Sequence, residues 1–192
     1  MTYRAKTLYK GDVAKNYDKE RFSSWKGKLY DWFEKRSITK AMYYMPKHFK
    51  VLDIPCGTGR ITEHIKNLGY HVEGADTSED MLRIGMRRIG IPFHKQNILH
   101  MEFPDKKYAV ITCVRLTGHL PHRTLINALK EMKRVAAFLV VTFYTPKKKR
   151  IGHWYTLTEK EIEMTIEDCG LGILERHYVC KGWSDGITYV MI

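Results

Sequence analysis

The stretch VLDIPCGTGR, residues 51–60, carries the densest chemical signal in this chain of 192 residues. A strand-like apolar run ends at Asp53, a turn holds Gly57 and Gly59, and a helix-like run follows. Glycines in such a turn let backbone approach a ligand more closely than any Cβ permits. Asp53 offers a carboxylate that can accept a hydrogen bond from an ammonium group. The dinucleotide fingerprint G-x-G-x-x-G would need glycine where Thr62 stands, and the phosphate-loop lysine is absent because Arg60 and Ile61 follow Gly59. NAD and ATP are thereby disfavoured, and a cationic, phosphate-free, nucleotide-like ligand fits. Asp76 lies 23 residues beyond Asp53, at the end of the next strand-like run, where a carboxylate can accept both hydroxyls of a ribose. Each motif alone has an ordinary explanation, a common glycine turn in one case and a helix N-cap at Asp76-Thr77-Ser78 in the other. Together, on successive strands, they read as one site.

The scaffold that must position them changes character at Pro46. The first 50 residues read as helical, with Trp25, Leu29, Trp32, Phe33, Tyr43 and Tyr44 interleaved with lysines and arginines. After Pro46, strand-like runs (HFKVLDI, HVEGAD, PFHKQN, KYAVITCV, AAFLVVTFY) alternate with helix-like ones (ITEHIKNLG, SEDMLRIGMRR, HRTLINALKEMKRV, TEKEIEMTIEDCG). That alternation predicts a parallel sheet covered by helices on both faces. The final pair, ILERHYV and GITYVMI, flanks a turn at Cys180–Asp185 and predicts a terminal hairpin that adds an antiparallel strand at one edge.

From about residue 48 onward the chain resembles the Rossmann-like (class I) S-adenosylmethionine-dependent methyltransferases. LDIPCGTGR is similar to that family's first motif, GADTSEDML to its second, and KYAVITCVRLTGHL to the strand whose end faces the methyl group. The resemblance implies a doubly wound α/β fold with a mostly parallel seven-stranded sheet, an antiparallel C-terminal strand and an N-terminal helical lid. It implies one domain over 1–192, with 1–47 as the lid and 48–192 as the cofactor-binding core. S-adenosyl-L-methionine would be the cofactor and S-adenosyl-L-homocysteine its product. Asp53, Cys56, Gly57, Thr58 and Gly59 would approach the methionine portion, Asp76 the ribose, Thr77 the adenine face, and Asn97 with Ile98 the adenine edge. Cys113 and Arg115 would lie beside the sulfonium. The run Val13, Ala14, Tyr17, Asp18 resembles the family's cofactor-covering stretch, with Tyr17 and Arg21 as lid contacts.

Two features depart from the family pattern. Asn97 replaces a usual aspartate, leaving a neutral acceptor for the adenine amine, and Arg134-Val135-Ala136-Ala137 replaces a Lys-Pro-Gly-Gly turn. Methyl transfer needs alignment first and a general base only where the acceptor carries a proton. Candidates for catalysis are His119, Tyr144 and His153, with Tyr155 beside the last. His119 has an ordinary reading as a residue packing a helix start, and Tyr144 as a core aromatic. Trp25, Trp32, Tyr43 and Tyr44 read as a helix-packing seam in preference to an acceptor pocket.

Composition narrows the partner. No Asn/Asp-Pro-Pro-aromatic run follows Cys113, which disfavours methylation of nucleic-acid bases, and no carboxylate or cysteine cluster predicts a metal. Four cysteines without a C-x-x-C pair, and no signal-like or membrane-spanning stretch, predict reduced thiols and a cytoplasmic location. The net charge is +12, and residues 1–50 carry +8 of it, with a further basic run at Lys147–Arg150. A small-molecule acceptor methylated at O, N or S is the favoured reading. An anionic lipid or quinone at a membrane surface, or RNA, reached through the basic N-terminal region, is the alternative. A non-catalytic cofactor-binding relative is the third, and intact Asp53, Gly57, Gly59 and Asp76 argue against it. No obligate protein partner is predicted.

Overall fold

The computed structural model describes residues 11–146, 155–182 and 185–192. Five strands, β1 (Lys50–Asp53), β2 (His71–Asp76), β3 (Phe93–Lys95), β4 (Tyr108–Cys113) and β5 (Ala136–Tyr144), run parallel. With β6 (Ile173–Tyr178) and β7 (Gly186–Met191) they form one seven-stranded sheet of order β3-β2-β1-β4-β5-β7-β6. β4 and β5 are buried over nearly their whole length, as expected for parallel strands covered on both faces. The expected hairpin is present, but its antiparallel strand is internal: β7 lies between β5 and β6, and β6 forms the edge.

The described helices are α1 (Gly11–Phe22), α2 (Trp25–Ala41), α3 (Arg60–Asn67), α4 (Glu79–Ile89), α5 (His122–Val135) and α6 (Glu159–Asp168). Their ends follow sequence chemistry. Ser24 and Ser78 cap α2 and α4 by accepting from Gly27 N and Met81 N, and Thr158 with Glu161 forms a capping box on α6. Leu125, Ala128, Leu129, Met132 and Val135 give α5 its buried stripe. The altered turn is no turn at all, since α5 ends at Val135 and β5 begins at Ala136. Lys106 Nζ donates to Lys133 O at 2.7 Å and Ala136 O at 2.8 Å, covering carbonyls left open at that junction.

α5 and α6 pack into one core cluster with Leu52, Ile111 and Leu139, while α2 and α3 pack into the other with Val51, Val110 and Val190. The N-terminal helical run is therefore split at Ser23-Ser24, and its second half covers the sheet. Ser37 Oγ on α2 donates to Thr188 Oγ1 at 2.7 Å, and Tyr70 Oη holds the chain after α2 through Met42 O at 2.5 Å. The seam expected of Trp25, Trp32, Tyr43 and Tyr44 is not formed, because all four are exposed. α2 turns Glu34, Ser37, Ile38 and Ala41 inward instead.

Candidate functional site

Strand order reverses direction beside β1, which has β2 on one side and β4 on the other. Backbone connections diverge at such a switch point and leave a crevice at the carboxyl ends of the strands. A cleft of about 760 Å³, its open mouth included, lies there. Its floor is the turn after β1, with Cys56, Gly57 and Thr58, and its walls are Asp76 and Thr77 after β2 and Val114, Arg115 and Leu116 after β4. His119, in the 3-10 turn Thr117–His119, and Tyr17 of α1 complete the rim.

The turn after β1 is built from within. Asp53 is buried, and its carboxylate accepts Thr62 Oγ1 at 2.6 Å and Thr112 Oγ1 at 2.8 Å, tying β1 to α3 and β4. Burial raises its pKa to about 6 against the lowering effect of both hydroxyls. The two turn glycines do different work. Gly57 has φ +55° and a Cβ there would meet open space, whereas at Gly59, φ +84°, a Cβ would come within 2.4 Å of Ile89 Cδ1. Gly57 therefore leaves the cleft open, and Gly59 seats the turn on α4. Asp76 accepts Gly57 N and Ser78 N, both at 2.9 Å, so one carboxylate joins the ends of β1 and β2. Its pKa is raised by burial, against the lowering pull of those N–H groups.

On the β4 side an ionic cluster forms the wall. Glu34 of α2, only 1% exposed, accepts Arg60 Nη2 at 2.8 Å and Arg115 Nε at 3.0 Å; Arg60 Nη1 also meets Asp31. Arg115 adopts φ +63°, a left-handed conformation that costs a side-chain-bearing residue roughly 1–2 kcal/mol. Burial works against its charge, but the Glu34 carboxylate outweighs it and keeps the guanidinium firmly protonated. Both guanidiniums lie over the Phe22 ring, at 4.4 and 4.9 Å from its centroid. His119 is pushed below the usual imidazole range by burial and by the Arg21 charge, so it is neutral at neutral pH. α1 is fastened across the floor by Asp18, which accepts Thr58 Oγ1 at 2.9 Å and Arg88 Nη1 at 3.0 Å.

Of the residues expected at the site, Tyr17, Cys56, Gly57, Thr58, Asp76, Thr77, Arg115 and His119 line the cleft. Asp53 and Gly59 lie behind its floor, and the exposed Arg21 stands near His119 with its guanidinium 5.1 Å from the Tyr17 ring centroid. Asn97 and Ile98 do not line it: the Asn97 amide oxygen accepts Leu99 N within its own turn, and Ile98 is in the core. Cys113 is buried, with its thiol pushed up by that burial. Tyr144 is likewise buried at the end of β5, its hydroxyl driven far above the ordinary phenol range first by burial and then by Glu34. Neither side chain is among the residues that line the cleft. His153, Trp154 and the Lys147–Arg150 run lie outside the described residues.

Arg60, Ile61, Met81, Val114 and Leu116 line the cleft without having been singled out. A signal for Arg60 was present: Asp31 and Glu34 are the two acids of an otherwise basic helix, and buried acids need cations.

Residues 51–137 match the family described as methyltransferase domain. A dTDP-3-amino-3,6-dideoxy-alpha-D-glucopyranose N,N-dimethyltransferase of Streptomyces fradiae is 29% identical over 131 residues, 64% of this chain and 48% of that protein. The ubiquinone biosynthesis O-methyltransferase of Coxiella burnetii is 25% identical over 124 residues, 55% of this chain and 53% of that one. The chain thus spans about half the length of these curated relatives. Magnesium protoporphyrin IX methyltransferase from Synechocystis PCC 6803, crystallised with bound SAH, shares the fold at a TM-score of 0.79 and 14% identity, over 97% of this chain and 96% of that one. A parallel sheet with one inserted antiparallel strand and a glycine turn joined to an acidic residue at its switch point accompany that match: residues 51–137 form a methyltransferase domain, and the chain has the Rossmann-like fold of S-adenosylmethionine-dependent methyltransferases.

Proposed function

We propose that the protein transfers a methyl group from S-adenosylmethionine to an O, N or S atom of a small-molecule acceptor. The observation that carries this reading is Asp76, whose carboxylate lines the switch-point cleft while bonded to the Gly57 N–H across the turn. The residues present fit the cofactor. Asp76 suits the ribose hydroxyls, Thr77 and Met81 the adenine, and the Cβ-free Gly57 backbone with Thr58 and Tyr17 the methionine end. Arg115 in the wall and Arg21 at the rim are the cations available to a carboxylate. When bound, S-adenosylmethionine supplies an electrophilic methyl carbon.

The chain's own contribution is alignment and proton handling. Holding two reactants in contact supplies roughly 7–11 kcal/mol of the barrier. The neutral His119 imidazole accepts the proton of a hydroxyl or amine acceptor, a step worth about 10²- to 10⁴-fold. Asp53 acts as a positioning residue, holding the turn through Thr62 and Thr112.

The test is incubation with methyl-labelled S-adenosylmethionine and a cell extract, then separation into polymer, lipid and small-molecule fractions. Label among small molecules is expected, together with a weakening of cofactor binding by about tenfold or more in Asp76→Ala. Label confined to lipid or RNA overturns the acceptor class, and unchanged cofactor affinity in Asp76→Ala overturns the site.

A further inference from the structure

The outward face of α2 is the unexplained feature of the molecule. Trp25, Leu29, Trp32 and Arg36 follow one another at spacings of four, three and four residues, which places them on one stripe of the helix. Lys28 and Lys40 flank that stripe within roughly 60° on either side. All six are exposed, with Trp25 at 70% and Trp32 at 54%. Beyond the helix end the stripe continues into exposed Tyr43 and Tyr44. No acid shares this face. The two acids of α2 are turned away onto cations, Glu34 onto Arg60 and Arg115 and Asp31 onto Arg60 and Lys35.

Two tryptophans held in water on a well-packed helix are unfavourable unless something apolar covers them. The cations beside them choose the cover. Lys26 and Arg36 lie over the Trp25 and Trp32 rings at 5.5 and 5.7 Å from their centroids, so each indole carries a positive charge beside it. Indole and phenol rings beside lysine and arginine match the boundary between headgroups and acyl chains, where the apolar body is buried and the cation meets phosphate. The face is a convex helix, whereas single-stranded nucleic acid calls for a groove that tracks the backbone. No helix among the described residues is long and apolar enough to cross a membrane, so contact of this kind lies on the surface.

We infer that the outer face of α2 docks the protein on an anionic lipid bilayer, with Trp25, Leu29 and Trp32 entering the interface and Lys28, Arg36 and Lys40 meeting lipid phosphates. The same helix holds Arg115, a residue of the cleft wall, through Glu34 on its opposite side. The inference stands apart from the reaction assigned to that cleft.

The test is sedimentation of the full chain with vesicles of equimolar phosphatidylcholine and phosphatidylglycerol, followed by tryptophan fluorescence. Two of the chain's four tryptophans lie on this face, so binding brings a blue shift. Expected are no binding to phosphatidylcholine alone, release by high salt, and a loss of about tenfold or more in affinity for Arg36→Glu/Lys40→Glu. Trp25→Ser/Trp32→Ser keeps every charge and loses both binding strength and the blue shift. The substituted positions are exposed, and unchanged circular dichroism confirms folding. Absence of binding to the mixed vesicles, or full binding by both variants, overturns the proposal. So does binding to a short single-stranded RNA with none to vesicles.

Discussion

Two influences keep a proton off His119: burial, which disfavours any charged imidazole, and the positive charge of Arg21. An imidazole held neutral in this way is ready as a base across the physiological range. For an acceptor that carries a proton, kcat/KM is expected to rise through an inflection below 6.5 and stay flat above it. His119→Asn should lower kcat by about 10²- to 10⁴-fold, and Arg21→Gln should move the inflection upward. A pH profile that keeps its inflection in His119→Asn would remove His119 from the role. Single residues were unevenly legible in the sequence. Asp76 and Gly57 were readable because strand, glycine and acid follow a fixed spacing. For Asn97, spacing alone cannot show the turn in which its amide oxygen accepts Leu99 N, away from the residues that line the cleft. Arg60 was missed because its partners, Asp31 and Glu34, lie on a helix 29 and 26 residues away in sequence.

The elements differ in what holds them. α1 buries only Ala14, and a helix of 12 residues is marginal on its own. Polar contacts fasten it: Asp18 to Thr58 and Arg88, and Gly11 N to Asp80 at 2.9 Å. An element held so lightly belongs to the low-stability end of a structure. Asp18→Ala should therefore speed amide exchange across 11–22 and weaken S-adenosylmethionine binding by about tenfold, with thermal stability of the core unchanged. Equal exchange rates in variant and parent would show that α1 is held by something other than Asp18. α2 explains why the N-terminal half was the hardest to read. Its buried side includes Glu34 and Ser37, while Trp25, Leu29 and Trp32 point out. Hydropathy patterning assigns the faces the other way round, because the buried polar groups are satisfied by Arg60, Arg115 and Thr188, residues far off in sequence. The strands after Pro46 were legible for the opposite reason. Both faces of β4 and β5 are buried, so a plain apolar run is their whole signature.

Across the whole molecule, the internal acids set opposing responses to pH. Burial raises Asp53 to about 6 from 3.8, so its ionised form is costlier folded than unfolded. That cost is absent below 3.8, grows as pH rises and is complete above about 6, so this group alone makes the fold less stable with rising pH. Glu73 behaves in the reverse sense. Burial opposes its charge, but Lys50 Nζ at 2.6 Å, Tyr108 Oη at 2.6 Å and His94 Nε2 at 2.9 Å outweigh that and hold it at about 2, below the ordinary 4.5. Its stabilisation is full above 4.5, declines as pH falls and is gone below about 2. Each contribution is on the order of 2–3 kcal/mol, large enough to shift a melting temperature. Calorimetry should show the Glu73→Gln variant losing the decline between pH 4.5 and 2, at the cost of lower stability at neutral pH. The Asp53→Asn variant should lose the opposite slope between pH 3.8 and 6. If both variants kept the parent's slopes, groups other than these two would govern the acid limb. If only Glu73→Gln flattened its window, the Asp53 carboxylate would be stabilised by Thr62 and Thr112 strongly enough to cancel its burial.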